Sequence, residues 1–299
     1  MSDNNLNPPN QSPVVPNMLT DDSRLSFRCH KDIACFNACC KNIDITLAPY
    51  DILRLQQHLG MSSAEFLPKY TIPFEMDAQG MPGVKFRPVD GGTACQFMTE
   101  EGCSVYENRP TACRYYPLGL LSIKHKDAAT DEQSYALVSE EHCLGHQEDR
   151  PLSVGEYRAE QGVDVYDEHT RGWRQLILKK KSAGPSIGTP SKQSLQLFFM
   201  ASYNVDQFQE FVLSDQFLGS FELEPELIEQ LKTDKVAVLD FGVRFLRQVL
   251  YGEKTINEKE NAHEAREAHL KKRAEETREL ARLEAEAAAQ RAKAERENR

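Results

Sequence analysis

No cysteine follows residue 143, no two cysteines are spaced Cys-x2-Cys, and only one tryptophan occurs in 299 residues. No run of about 18 apolar residues is present either, so no helix long enough to span a membrane is expected. Met1-Ser-Asp-Asn-Asn-Leu-Asn-Pro-Pro lacks the basic and apolar regions of a secretory signal, which makes the expected location cytoplasmic. Basic residues are in deficit: Lys and Arg number 36 against 46 Asp and Glu, a formal net charge of -10. That balance gives no electrostatic footprint for a phosphate backbone, so neither nucleic acid nor membrane is an expected partner. A Gly-rich phosphate loop, a Ser/His/Asp or Cys/His constellation and a paired-carboxylate site are also missing. Enzymatic activity is left open.

The cysteines themselves are the main signal. All eight lie between Cys29 and Cys143, and four crowd into Cys29-His-Lys-Asp-Ile-Ala-Cys35-Phe-Asn-Ala-Cys39-Cys40. Cys95, Cys103, Cys113 and Cys143 follow. Cytosolic reductants keep thiols reduced, and the neighbours Cys39 and Cys40 could bond each other only through a strained ring. Soft thiolates confined to one third of a chain instead point to a metal site, with all eight cysteines as candidate ligands. The missing Cys-x2-Cys pairs count against an ordinary zinc ribbon, whereas iron–sulfur clusters take four thiolates over longer and less regular spacings. The expected cofactor is therefore an iron–sulfur cluster, such as 4Fe-4S, or zinc. Eight ligands allow two four-thiolate sites or one site with spare thiols.

Nearby residues have plainer roles. His30, His142 and His146 are better explained by second-sphere hydrogen bonds or exposure than by ligation. Arg28, Lys31, Lys41, Arg109 and Arg114 would stabilise an anionic centre if they faced it, and Tyr106, Tyr115 and Tyr116 are expected to pack.

The predicted fold class is α+β: a small irregular cysteine-rich domain, a mainly helical extension and a charged C-terminal helix. Residues 1–22, rich in Asn, Pro, Ser and Asp, read as a disordered arm. The cysteine-cluster domain spans 23–181. Within it, Ile43, Ile45 and Leu47 alternate like a strand. Pro49 to Leu59 form an apolar helical stripe stopped by Gly60, and Ser62 to Glu65 form a capping box before a short helix limited by Pro68. Hairpins are expected over 72–98. Pro110 opens a helix with Cys113 in its first turn, where the dipole would favour a thiolate. Ser153 to Glu156 is a second capping box, with helix continuing to Lys179–Lys181. A linker occupies 182–192 and amphipathic helices 193–252. The tail, 253–299, holds twelve acidic and twelve basic residues and has helical composition, but Leu270, Leu280 and Leu283 are too few for a sustained coiled-coil seam. The extension or the tail would be the surface for an unidentified protein partner.

Two runs also resemble a known family. Cys35-Phe-Asn-Ala-Cys39-Cys40, followed by Ile45-Thr-Leu-Ala-Pro49-Tyr-Asp-Ile-Leu-Arg54, is one. The other is Cys95 to Pro117, including Cys103-Ser-Val-Tyr106-Glu-Asn-Arg109-Pro110-Thr-Ala-Cys113-Arg114. Together and in this order they resemble the YkgJ-type cysteine-cluster proteins, over roughly residues 25 to 180. The resemblance implies zinc or iron chelation, with Cys35, Cys39, Cys40, Cys103 and Cys113 carrying over best. The first spacing here is wider than the family's Cys-x2-Cys-x2-Cys-Cys. A related cluster in flagellin lysine methylases makes a protein-modifying enzyme one implication; a zinc-stabilised interaction module is the non-catalytic alternative.

Overall fold

The computed structural model describes residues 14–123, 132–183 and 189–260, together with 278, 279 and 282. It is an α+β structure of helices and small antiparallel sheets. The first described residues correct one expectation. Val14–Leu19 (β1), assigned above to a disordered arm, pair with Glu132–Val138 (β8), which also pairs with Leu118–Ile123 (β7). The β1 register shifts between Val15 and Leu19, the stretch containing Pro16, which has no N–H to give the ladder. Pairing partners more than a hundred residues away are invisible to local composition.

Arg24–Ser26 (β2) pairs with Pro151–Ser153 (β9) and leads into the first cysteine run. The alternation around Ile45 is realised as a single bridge, Thr46 to Lys85, beside the hairpin Thr71–Glu75 (β3) and Pro82–Phe86 (β4). Pro49–Leu59 (α1) forms as expected: Pro49 occupies the first turn, and Gly60 ends the helix in the left-handed conformation at φ 62°. The Ser62 box opens Ser63–Tyr70 (α2), which carries Pro68 inside it and ends two residues later. Met98–Thr99 (β5) and Gly102–Cys103 (β6) make a minimal hairpin, and Thr111–Tyr115 (α3) follows Pro110. The Ser153 box opens Val154–Gln161 (α4), Gly162 interrupts, and Val163–Ala183 (α5) continues.

Five helices complete the described fold: Lys192–Tyr203 (α6), Val205–Val212 (α7), Asp215–Ser220 (α8), Pro225–Thr233 (α9) and Lys235–Tyr251 (α10). Their apolar faces are continuous with the core of the cysteine domain. Phe198, Phe208, Val238 and Leu246 share one buried cluster with Ile52, Leu55, Phe66 and Val84. A second, smaller cluster holds Leu25, Phe27, Tyr115, Leu118, Tyr135, Leu152 and Val154. No helix among the described residues is long and apolar enough to cross a membrane.

The tail starts differently from its composition. Residues 253–260 run back as an extended strap: Glu222 N–H donates to Asn257 O at 2.9 Å, Lys259 N–H donates to Ser220 O at 3.0 Å, and Ile256 is only 2% exposed. Burying that side chain outweighs helix propensity. The expected helix beyond 260 falls almost wholly outside the described residues, as do residues 1–13 of the arm and the centre of the linker.

Removing the strap should therefore expose core. A chain ending at Gly252 is expected to be less stable than one ending at Glu260 by about 2 kcal/mol, the value of one buried aliphatic side chain. Denaturant unfolding of the two truncations measures the difference, and coincident midpoints would refute the strap's contribution.

Candidate metal centre

The first cysteine run folds as a succession of tight turns rather than a helix. Ile33 N–H bonds His30 O, Phe36 N–H bonds Ile33 O, and Ala38 N–H bonds Cys35 O at 2.9 Å. Asn37 takes the left-handed conformation, φ 63°, and its side-chain amide donates to Thr99 O at 2.8 Å. Asn tolerates that backbone better than most residues. Ala38–Cys40 then close a single 3-10 turn. Chain reversal every three residues places four thiols on one short segment.

Two sets of backbone contacts bring the other cysteines to it. Cys95 N–H donates to Cys40 O at 2.8 Å, and the β5–β6 hairpin returns the chain so that Cys103 pairs with Met98. Gly102 makes that return with φ 118°, against the ring of Phe36. On the other side, Arg28 N–H donates to Gly145 O at 3.1 Å and Leu144 N–H donates to Cys35 Sγ at 3.2 Å, drawing the Cys143 loop onto the first run. Gly145 permits the approach, because a Cβ there would lie 2.7 Å from the Phe27 ring and 3.0 Å from Arg28 O.

Cys113 arrives on α3, held by a residue the sequence reading did not single out. Asp51 is 1% exposed; its Oδ2 accepts from Ala48 N–H at 2.8 Å, and its Oδ1 accepts from Thr111 N–H at 2.8 Å and Thr111 Oγ1 at 2.6 Å. One carboxylate thus caps α1 and fixes the start of the Cys113 helix. Burial raises its pKa, while those hydrogen bonds work against the rise. An Asp in the first turn after Pro49 was a legible cap; its second partner sixty residues on was not.

All eight cysteines are free thiols, and Cys39 Sγ and Cys40 Sγ are 3.8 Å apart, well beyond disulfide length. Their ionisation is governed by crowding. Burial, then Cys39, Cys35 and Cys143, push Cys29 up to about 11. A hydrogen bond from Cys40 holds Cys39 down at about 7, and the same bond, with burial, raises Cys40. Burial raises Cys95, Cys103 and Cys113 as well. For Cys113 this corrects the dipole argument: α3 is only five residues long, and desolvation with Cys95 and Cys103 nearby outweighs it. A bound cation reverses such penalties, since it holds coordinating thiols deprotonated.

The donors fit a thiophilic metal by type. Among the described residues no group of three or more His, Cys, Asp or Glu side chains stands ready to hold a metal ion, so ligation requires the thiols to move closer together. The histidines face oxygen instead: His30 Nε2 lies 3.2 Å from Glu148 Oε2, His142 Nε2 lies 3.7 Å from Glu140 Oε2, and His146 Nε2 lies 3.1 Å from Val138 O. Of the flanking cations, Arg109 lowers the Cys103 pKa against burial, whereas Lys31 pairs with Glu101. Arg114 is buried and donates to the carbonyls of Glu107, Arg109 and Gln161 with its guanidinium over Tyr166, so it braces the loop. Tyr116 lies against Cys143 and Glu140, and burial is the main reason its pKa is raised.

Residues 28–144 match the CxxCxxCC family model, described as "Putative zinc- or iron-chelating domain". The match covers this segment, 117 of the 299 residues. The matched residues begin one position before Cys29 and end one after Cys143, so the matched segment contains every cysteine of the chain. No curated protein and no solved structure matches the chain.

The Asp51 carboxylate is expected to matter for the cysteine-bearing segment beyond its own helix. Asp51→Ala strands buried donors at Ala48 and Thr111, and should destabilise the protein by about 3 kcal/mol. Urea unfolding tests this, and a loss below about 1 kcal/mol, the net value of a single hydrogen bond, would show that the two caps are independent of the carboxylate.

Proposed function

We propose that the protein is a cytoplasmic metal-binding protein in which the cysteine cluster carries an all-thiolate group, an iron–sulfur cluster in first place and zinc in second. The observation that carries this is the convergence of eight unpaired thiols from four separate stretches of chain, while the nearby histidines are engaged with oxygen acceptors. Sulfur-only donors suit iron–sulfur clusters and zinc and disfavour magnesium or calcium. The irregular spacings favour the cluster. Unpaired thiols in this number also accord with a reducing compartment.

The group serves as a cofactor rather than as the support of the whole fold. A metal-dependent interaction module of the zinc-finger kind owes its folding to the metal. Here the larger hydrophobic cluster, running from Leu47 to Ile256 through Phe66, Phe208 and Leu246, is built without cysteine at its centre. Cys29 and Cys39 are exposed, so a cluster bound there would lie near enough to solvent to exchange electrons with a partner. Redox or redox-assisted modification chemistry is the role that placement favours.

Protein purified without oxygen is expected to be brown, to contain iron and sulfide, and to lose at least half of its iron in Cys113→Ser. Colourless protein with stoichiometric zinc would move the zinc reading to first place, and protein with neither metal would overturn the proposal. Stripping the metal with a chelator should leave most of the helical circular dichroism intact. Global unfolding on chelation would favour the interaction module.

A further inference from the structure

We propose, building on the metal-binding function above, that the adjacent thiols Cys39 and Cys40 are the capture pair of the cysteine cluster. They take up an incoming thiophilic divalent cation, ferrous iron or zinc, before the other cysteines close upon it. The first observation is a distance: Cys39 Sγ and Cys40 Sγ lie 3.8 Å apart. Two metal–sulfur bonds of about 2.3 Å, held at the tetrahedral angle, span about 3.8 Å between their sulfurs. The pair thus stands at the bite of a tetrahedral ion, whereas a linear two-coordinate ion would need about 4.6 Å. Simple contact also brings two sulfurs this close, and the kinetics of binding separates the two.

The backbone holds the pair in place. Both residues belong to the single 3-10 turn, in which Cys40 N–H donates to Asn37 O at 3.0 Å and Lys41 N–H donates to Ala38 O at 3.2 Å. The turn is also tied to the second cysteine run on both flanks. The Asn37 side-chain amide donates to Thr99 O at 2.8 Å, Cys95 N–H donates to Cys40 O at 2.8 Å, and Thr93 Oγ1 donates to Lys41 O at 2.7 Å. A main chain fixed in this way loses little further freedom when an ion binds.

Access favours the same two thiols. Cys39 is exposed and Cys40 half-buried. Cys95 and Cys103 pack against the larger hydrophobic cluster and Cys143 against the smaller, while Cys35 Sγ accepts from Leu144 N–H at 3.2 Å. Among the described residues no group of three or more His, Cys, Asp or Glu side chains stands together, so a two-thiol site is met first and the remaining ligands follow. In capture, two metal–sulfur bonds replace two S–H bonds, both protons pass to solvent, and no electron is transferred.

The test follows thiolate ligation in time. The full-length chain, stripped of metal and reduced without oxygen, is mixed with cadmium ion, a thiophilic probe, and the ultraviolet thiolate-to-cadmium absorption counts bonds as they form. A fast phase worth two thiolates is expected, followed by slower ones. Cys39→Ser and Cys40→Ser should each slow the fast phase by at least about tenfold, because a singly held ion is released before a distant second thiol arrives. Cys29→Ser, which removes the other exposed thiol, and Cys103→Ser should lower the later amplitude alone. A first phase worth all the thiolates at once, or one unchanged in Cys39→Ser and Cys40→Ser, overturns the capture role while leaving metal binding standing; so does equal slowing in all four variants. No cadmium absorption in the unmodified chain overturns the metal-binding function as well. Circular dichroism checks the folding of each variant, and a second measurement needs none: after substoichiometric cadmium, brief alkylation and peptide mass spectrometry should find Cys39 and Cys40 protected first. Earlier protection of any other pair refutes the assignment.

Discussion

Asp51 is a carboxylate held almost entirely out of water, and the geometry around the cysteines depends on it. A buried charge of this kind is tolerated only when its lone pairs are filled. Three donors fill them: Ala48 N–H at the start of α1, and the N–H and hydroxyl of Thr111 at the start of α3. Because α1 lies in the large core and α3 carries Cys113, the same group transmits the position of the core to a candidate ligand. Arg114 completes the brace from the other side, donating to three carbonyls, two of them from the loop between Cys103 and Cys113.

The cysteine cluster sits where two hydrophobic clusters meet. The larger takes in the helices after residue 190 as well as α1, α2 and the β3–β4 hairpin; the smaller is built from the strands and helices around Cys143. The helical extension is thus part of the wall supporting the Cys95 side. Lys180, itself buried, ties α5 to the β3–β4 hairpin by reaching Asp77 in its turn at 2.5 Å. A surround of this kind holds several cysteine-bearing segments near one another.

Local signals were legible wherever a single segment decided the outcome. Ser62 with Glu65 and Ser153 with Glu156 form capping boxes at the helix starts their spacing predicts, and Gly60 stops α1. The cysteine count and the two motifs pointed to the family whose model matches residues 28–144. Signals failed where a distant partner won. Val14–Leu19 has the composition of a disordered arm but finds β8; residues 253–260 have helical composition but trade it for the burial of Ile256; and the dipole at Cys113 yields to desolvation.

What the sequence determined by itself is the chemistry available: eight soft donors and the order of elements that carries them. Those follow from residue identity and from spacings of three or four positions, which are local properties of the chain. Only the tertiary structure decided which thiols are neighbours, that Asp51 joins α1 to α3, and that the cysteines abut two cores rather than one. Such relations arise from contacts between residues separated by sixty to more than one hundred positions, as Asp51 with Thr111 and Cys35 with Leu144 are. No local periodicity encodes them, because they exist only once the apolar faces of separate elements have closed upon each other.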